Sequence, residues 1–264
     1  MTARVPRWLL ALTGAVYLFL HLPVIVLMIF SFNDSRFSVD WRGFTLQWYE
    51  RLLQRSDILH GLKMSLIVGL TATAISVVLG TLIALALARH RLRGKRAAEG
   101  LIYLPLVTPE IVVGISLLIL FATLDWPLGV ATITIAHVVF CISFVVIVLL
   151  ARLEGMDGSL EEAAMILGAD EITAFRRITL PQLRPGILAG ALLAFTISFD
   201  DFVITSFVSG PGSSTLPVVV YGMVRRTVEP SINAISTIIL LVSALLIYFA
   251  DRSMRPVPRR ASNR

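Results

Sequence analysis

Six apolar stretches, separated by shorter polar segments, run along the chain. A helix that crosses a bilayer needs roughly 20 mostly apolar residues, and each stretch is near that length. The stretches cover residues 8–32, 65–88, 101–124, 130–150, 186–208 and 233–250. The pattern therefore predicts an all-α membrane protein with six transmembrane helices. We expect a single domain over residues 1–264, with an N-terminal helix at 8–32 and core helices within 65–250.

Two shorter segments and the first span call for separate interpretation. Residues 43–55 place apolar side chains at helical spacing with charges opposite, which predicts an interfacial helix. Those apolar residues are Leu46, Tyr49, Leu52 and Leu53, with Trp48 beside them. Residues 209–226 begin with turn-forming glycines and are too short to cross, so we expect a re-entrant or surface hairpin. The first span is too long for a cleaved signal peptide, which predicts a retained signal anchor.

Composition and charge support a membrane protein. Hydrophobic residues make up 56%, the mean hydropathy is +0.84 and only 15% are charged, against about 25% in soluble domains. The net charge is +6. Basic residues concentrate at both termini and in the loops after the second and fourth spans. The positive-inside rule then places both termini in the cytoplasm, and the charge sets orientation, with no nucleic-acid partner expected. One cysteine and four scattered histidines predict neither disulfide nor metal site.

A polar segment, residues 159–181, interrupts the second half of the chain. Ser159 and Glu162 have the spacing of a capping box, so a short helix should begin there. Gly168 is suited to end it, Asp170 to cap a second helix and Pro181 to stop that one. The predicted helix-turn-helix, joined rigidly to span five, would let a soluble partner move the membrane helix.

The same segment resembles a known family. Its residues reproduce the EAA motif of the permease subunits of binding-protein-dependent ABC importers, with every interval matched. The matching residues are Glu162, Ala163, Ala164, Gly168, Ile178, Leu180 and Pro181. The resemblance implies a type I ABC importer permease fold, with coupling helices between helices 4 and 5 that dock on the ATPase. An ordinary cytoplasmic helical hairpin is the alternative.

A second resemblance concerns the solute. Residues 198–217, 32–37 and 232–239 are similar to spermidine and putrescine permease subunits. This resemblance implies that the chain lies in the bacterial cytoplasmic membrane, surrounded by membrane lipid, and imports its solute by alternating access. The implied partners are two ATP-binding cassette ATPase subunits, a second and different permease, and a periplasmic or lipid-anchored solute-binding protein. Alternatives are a permease for another small organic solute, an ion-gradient-driven secondary transporter and a polytopic scaffold.

Motifs for catalysis are absent from the sequence. Lys63 precedes Met64 and Lys95 precedes Arg96, so no phosphate-binding loop ending in Lys-Ser or Lys-Thr exists. The sequence also has no H-E-x-x-H or G-x-S-x-G. We therefore expect a transport subunit that is not an enzyme and binds no cofactor, with ATP and Mg on the partner ATPase subunits.

Acidic residues within the apolar spans are candidates for the translocation path, because charges there are costly. Carboxylates would replace water around a polycation, and nearby aromatic rings would add cation–π contacts. The candidates are Glu110, Asp200, Asp201, Phe199, Phe202, Phe140 and His137. The aspartates could instead cap or bond neighbouring helices, and His137 could be a packed polar residue. Pro105, Pro109 and Gly114 are better explained by kinking and close packing.

Overall fold

The computed structural model describes residues 6–35, 40–90, 93–226 and 230–254. Both termini and the end of the 32–37 segment lie outside the described residues. Helices and loops make up the described chain, together with one isolated β-bridge between Asn33 and Phe44. The helices are α1 (Arg7–Phe30), α2 (Gln47–Gln54), α3 (Ser56–Arg89), α4 (Lys95–Val107), α5 (Glu110–Thr123), α6 (Val130–Glu154), α7 (Ser159–Ile166), α8 (Glu171–Ala174), α9 (Leu180–Asp200), α10 (Val203–Val208), α11 (Leu216–Arg226) and α12 (Pro230–Met254).

Four helical stretches are long and apolar enough to cross a membrane. They are Arg7–Phe30, Ser56–Arg89, Val130–Glu154 and Glu171–Asp200. A fifth crossing results if α4 and α5 together form one broken span. The predicted all-helical membrane protein is therefore confirmed, with four or five apolar spans in the described residues. The sixth predicted span coincides with α12, of which Pro230–Leu245 forms a shorter apolar helix.

The third predicted span is not one continuous helix. α4 ends at Val107, α5 begins at Glu110, and the helix axes differ by 109°. Thr108 is extended, as expected before a proline, and Pro109 has no N–H to continue the ladder. The prediction of a single helix over 101–124, with Glu110 near its middle, is wrong. Glu110 is instead the first residue of α5.

Two compact units divide the chain. The smaller comprises residues 1–59 and 219–246. In it, the segment predicted as an interfacial helix forms α2, whose buried residues are Trp48 and Leu52, while Leu46 and Leu53 are exposed. The Trp48 indole donates a hydrogen bond to the Asn33 carbonyl at 2.8 Å. An indole N–H needs such a partner when buried. Trp48 therefore faces the interior of this unit, which the pattern of apolar residues in the helix does not predict.

The larger unit, residues 60–218 and 247–264, is built around α6. Small residues bring neighbouring helices close to it, as expected where lipid removes the hydrophobic drive for helix association. A Cβ added at Gly80 of α3 would lie 2.7 Å from Val145 Cγ1 of α6, and one at Gly190 of α9 would lie 3.5 Å from the same atom. Val145 is fully buried between them. The close approach therefore fixes α3 and α9 on α6.

Candidate functional site: the polar segment and a buried polar network

The polar segment folds as two short helices, but its start differs from the prediction. α7 begins at Ser159, as expected, yet no capping box forms. The Asp157 carboxylate instead accepts a hydrogen bond from the Ser159 amide at 3.0 Å. An Asp two residues before the amide closes an Asx turn, which competes with the capping box. Hydrogen bonds from Ser159 hold the pKa of Asp157 below its usual value.

The turn between the two helices follows the prediction. Gly168 has a φ of +93°, in the left-handed region that favours glycine. Asp170 then caps α8, because its carboxylate accepts a hydrogen bond from the Thr173 amide at 3.2 Å. Hydrogen bonds from Thr173 hold the pKa of Asp170 below its usual value. The assignments of Gly168 and Asp170 as helix stop and cap are confirmed.

Pro181 does not end the second helix, so that prediction is wrong. α8 continues through a π turn, Phe175–Thr179, into α9, giving 30 helical residues from Glu171 to Asp200. Pro181 lies in the first turn of α9. The Leu180 amide donates to the Phe175 carbonyl across the π turn, and this wider register just before Pro181 lets the helix continue although proline has no N–H. The second helix of the polar segment is therefore continuous with the helix of the fifth apolar span as far as Asp200.

The polar segment presents exposed apolar side chains. Leu167 is 88% exposed, Ile166 is 86% exposed and Ile172 is 68% exposed. Among the motif residues, Glu162, Ala163, Gly168 and Pro181 are exposed, whereas Ala164, Ile178 and Leu180 are partly buried. Apolar residues exposed together beside charges are typical of an interaction surface. The sequence pattern did not single out Ile166 as part of this surface. The signal that could have identified it is its position beside Leu167, just before the turn at Gly168.

A second polar site lies where α9 ends. His137 of α6, only 2% exposed, shares a hydrogen bond between its Nδ1 and the Ser198 hydroxyl at 2.7 Å. Its Nε2 lies 2.9 Å from the Thr205 hydroxyl and 3.2 Å from Asp201 Oδ2. The network joins α6, α9 and α10. Because a buried polar group costs free energy unless it is bonded, these four side chains fix one another.

Asp201 also explains the interruption of the predicted fifth span. α9 ends at Asp200, and α10 begins at Val203, so a continuous helix over 186–208 is wrong. The Asp201 carboxylate accepts hydrogen bonds from the amides of Thr205 at 2.8 Å and Ile204 at 3.3 Å. Asp201 thus caps α10 from within the apolar stretch. Its neighbour Asp200, the last residue of α9, is exposed.

The remaining path candidates are dispersed. Glu110 is exposed at the start of α5 and has no hydrogen bond to His137 or Asp201. Phe140 is buried in the core, with its ring centroid 5.3 Å from that of Phe144. Phe199 stacks on Phe195 at 5.5 Å, and Phe202 lies in the break between α9 and α10. The structure therefore brings His137 and Asp201 together and leaves Glu110 apart. The described residues contain no group of three or more metal-ligating side chains.

Apolar spans, broken helices and a polar segment continuous with one span define a polytopic helical membrane protein. The family model "Binding-protein-dependent transport system inner membrane component" matches residues 76–263. The chain belongs to this family, whose members are membrane permease subunits of ABC importers, with ATP hydrolysis in separate ATPase subunits.

Curated relatives are similar over most of the chain. The spermidine/putrescine transport system permease protein PotC of Escherichia coli K12 is 41% identical over 233 residues, covering 88% of each chain. The putrescine transport system permease protein PotI of the same strain is 43% identical over 240 residues, covering 88% of this chain and 85% of that protein.

Solved structures agree in fold. A bacterial ABC transporter involved in the import of the acidic polysaccharide alginate matches with a TM-score of 0.77 at 16% identity, covering 96% of this chain and 100% of that chain. An amino acid ABC transporter matches with a TM-score of 0.60 at 23% identity, covering 79% and 100%. At these identities the matches establish the fold alone.

Proposed function

We propose that this chain is the permease subunit of an ATP-driven, binding-protein-dependent importer of polyamines, putrescine or spermidine. Sequence identity of 41% and 43% to polyamine permeases over 88% of the chain carries this proposal. The chain forms half of the translocation path as a single transmembrane domain. With six crossings both termini and the polar segment lie on one side of the membrane, and the basic residues concentrated there support a cytoplasmic location for that side.

The partners follow from the family. Two ATPase subunits, which hold ATP and Mg, grip the polar segment, while a second and different permease completes the path. A periplasmic or lipid-anchored binding protein delivers the solute. The motif residues of α7 and the exposed side chains of Leu167, Ile166 and Ile172 form the surface that an ATPase groove covers. Closure of the ATPase dimer on ATP supplies the differential interaction that shifts the permease between inward and outward states.

Within the path, the candidate residues have different roles. Asp200 and Glu110 are exposed carboxylates at a helix end and a helix start, which suits them to receive an ammonium group. Asp201 and His137 bond each other and fix the break after Asp200, so they act as positioning residues. Of the aromatic residues, Phe199 and Phe202 flank Asp200 and Asp201 in the sequence at this break, whereas Phe140 is buried in the core. At a separation of about 4 Å, an ammonium group and a carboxylate attract each other by roughly 1 kcal/mol in bulk water and roughly 4 kcal/mol near a protein surface.

Transport by the reconstituted complex tests the proposal. The chain is co-expressed with its ATPase, second permease and binding protein, and the uptake of radiolabelled putrescine and spermidine is measured in liposomes. We expect uptake that requires ATP and the ATPase, and a rise in KM of about tenfold, or 1.4 kcal/mol, in Asp200→Asn or Glu110→Gln.

The control is Asp125→Asn, which removes an exposed carboxylate in the loop after α5. Asp125 has a φ of +50°, which asparagine also tolerates, so uptake should stay at the wild-type level. Uptake without the ATPase would instead show a secondary transporter. ATP-driven uptake of another organic solute, with polyamines inert, would refute the polyamine assignment. Unchanged KM in both carboxylate variants would remove these two residues from the path.

A further inference from the structure

Arg89, the last residue of α3, contacts the polar segment through a two-pronged ion pair. Its Nη1 donates to Glu161 Oε1 at 2.9 Å and its Nη2 to Glu161 Oε2 at 2.5 Å. The side chains are 37% and 19% exposed, respectively. Parallel bonds from guanidinium to carboxylate fix geometry as well as charge. The pair therefore sets both the distance and the angle between the end of α3 and the first turn of α7.

Thr179 closes this contact into a triangle. Arg89 Nη2 donates to the Thr179 hydroxyl at 3.1 Å, and that hydroxyl donates to Glu161 Oε2 at 2.6 Å. Thr179 is 1% exposed and is the last residue of the π turn. The Arg89 guanidinium also lies 5.8 Å from the centroid of the Phe175 ring, at the other end of that turn. One arginine thus contacts both α7 and the junction with α9.

The triangle accounts for the side-chain hydrogen bonds between α3 and the polar segment. α6 reaches the start of α9 separately, where Arg152 donates two hydrogen bonds to the Gln182 carbonyl at 3.1 and 2.9 Å. For α3, the side-chain hydrogen bonds to the polar segment found among the described residues all come from Arg89. Arg89, Glu161 and Thr179 line a pocket of about 480 Å³ together with residues of α6 and α7.

We propose that Arg89, Glu161 and Thr179 form a clamp that makes α3 move together with the polar segment. A partner that displaces the segment then moves α3 and α9 as one body, instead of α9 alone. The proposal rests on the proposed function, in which an ATPase drives the segment. An incidental surface ion pair would contribute little, and its loss would leave the coupling between ATP hydrolysis and transport unchanged.

The first test measures solute transported per ATP hydrolysed, using purified complexes in liposomes with radiolabelled putrescine. We expect Arg89→Glu and Glu161→Arg each to lower this ratio at least about fivefold, which corresponds to a coupling free energy near 1 kcal/mol. Combining both substitutions restores the opposite charges and should return the ratio to within about twofold of wild type. Thr179→Val, which removes the bridging hydroxyl, should give an intermediate loss.

Arg93→Glu serves as the matched control, because Arg93 is an exposed arginine in the loop just after α3. Its ratio should equal that of wild type. Unchanged ratios in both single variants, or a combined variant no better than the single ones, would overturn the clamp. A wild-type complex that neither binds the ATPase nor transports a polyamine would refute the proposed function instead.

A second test does not depend on weakening the contact. Cysteines replace Arg89 and Glu161 in a chain whose own Cys141, which is buried, is changed to alanine. A bifunctional thiol reagent of about the combined side-chain length then joins α3 to α7. If the two helices move as one body, the linked complex keeps its ratio of transport to ATP hydrolysis, above that of the unlinked cysteine variant. Transport that stops on linking and returns on cleaving the linker shows that the helices separate during the cycle, which excludes the clamp.

Discussion

Replacing His137 by phenylalanine should destabilise the end of α9 while keeping the volume of the ring. The substitution removes both nitrogens that serve Ser198, Asp201 and Thr205 at 2.7 to 3.2 Å. Asp201 keeps its bonds to the Thr205 amide and hydroxyl, at 2.8 and 2.7 Å. The Ser198 hydroxyl, on a residue 4% exposed, loses the His137 partner.

The expected size follows from these losses. A buried polar group left without its partner costs about 1 to 3 kcal/mol. One such loss at Ser198 and a partial loss at Asp201 give about 2 to 4 kcal/mol. Each kcal/mol lowers the Tm of a chain of this size by roughly 2 to 4 °C. We therefore expect a fall of about 4 to 16 °C for His137→Phe.

Thermal unfolding of the detergent-purified chain, followed by intrinsic fluorescence, measures this change. His137→Gln, which retains hydrogen-bonding groups, should recover part of the lost Tm. His90→Phe makes the same chemical change at an exposed position after α3 and should leave the Tm within about 1 °C of wild type. If His137→Phe unfolds at the same temperature as His90→Phe, the network does not hold the break between α9 and α10.

Three further predictions concern single residues. Gly210→Ala should cost about 1 to 3 kcal/mol in the same assay, because the new Cβ would lie 2.0 Å from the Leu128 carbonyl oxygen; Gly100→Ala, where nothing lies within 4 Å, is the control. Gly168→Val should weaken retention of the ATPase in affinity purification, since a φ of +93° is strained for valine. The cap at Asp170, whose pKa is lowered by Thr173, should persist above the unfolded pKa of about 4 and be lost as pH falls through the folded value. Hydrogen exchange in α8, corrected for intrinsic rates, should show that loss in wild type but not in Asp170→Ser, and equal pH dependence in both would contradict it.

The sequence predicts where apolar helices lie, but not where they break. Hydropathy is summed along the chain and does not record direction, so the 109° bend at Pro109 left no trace in the apolar pattern. Two local signals existed: proline restricts the residue before it, and Asp201 stands three and four residues before the amides it caps. The prolines predicted a kink in the third predicted span, but a complete break there and the cap by Asp201 were not predicted, because the flanking residues are apolar enough to continue a span. The short caps at Gly168 and Asp170 were predictable because their partners are sequence neighbours.

Long-range polar contacts were not predictable from one sequence. Arg89 lies 72 positions from Glu161, and His137 lies 61 positions from Ser198. Arg89 was interpreted through the charge bias of its loop, which explains orientation but does not identify a partner. His137 had two interpretations, as a packed polar residue or as a path residue, and neither identified its partners. Only helix packing, set by small residues such as Gly80 and Gly190 against Val145, decides which side chains meet.

The two polar clusters have a mechanical consequence because they lie at opposite ends of one helix. α9 has the Arg89 triangle at its beginning and the His137 network at its end, and its middle lies against α6 at Gly190. In lipid, close packing at small residues and interhelical hydrogen bonds set the position of a helix against its neighbour. The close approach at Gly190 and the bonded polar groups at both ends therefore together define the position of α9. A partner that shifts the polar segment must therefore move the break at Asp201 or strain the His137 network. Asp200 lies one residue before that break. Among the acidic side chains, its surroundings respond most directly to such a shift.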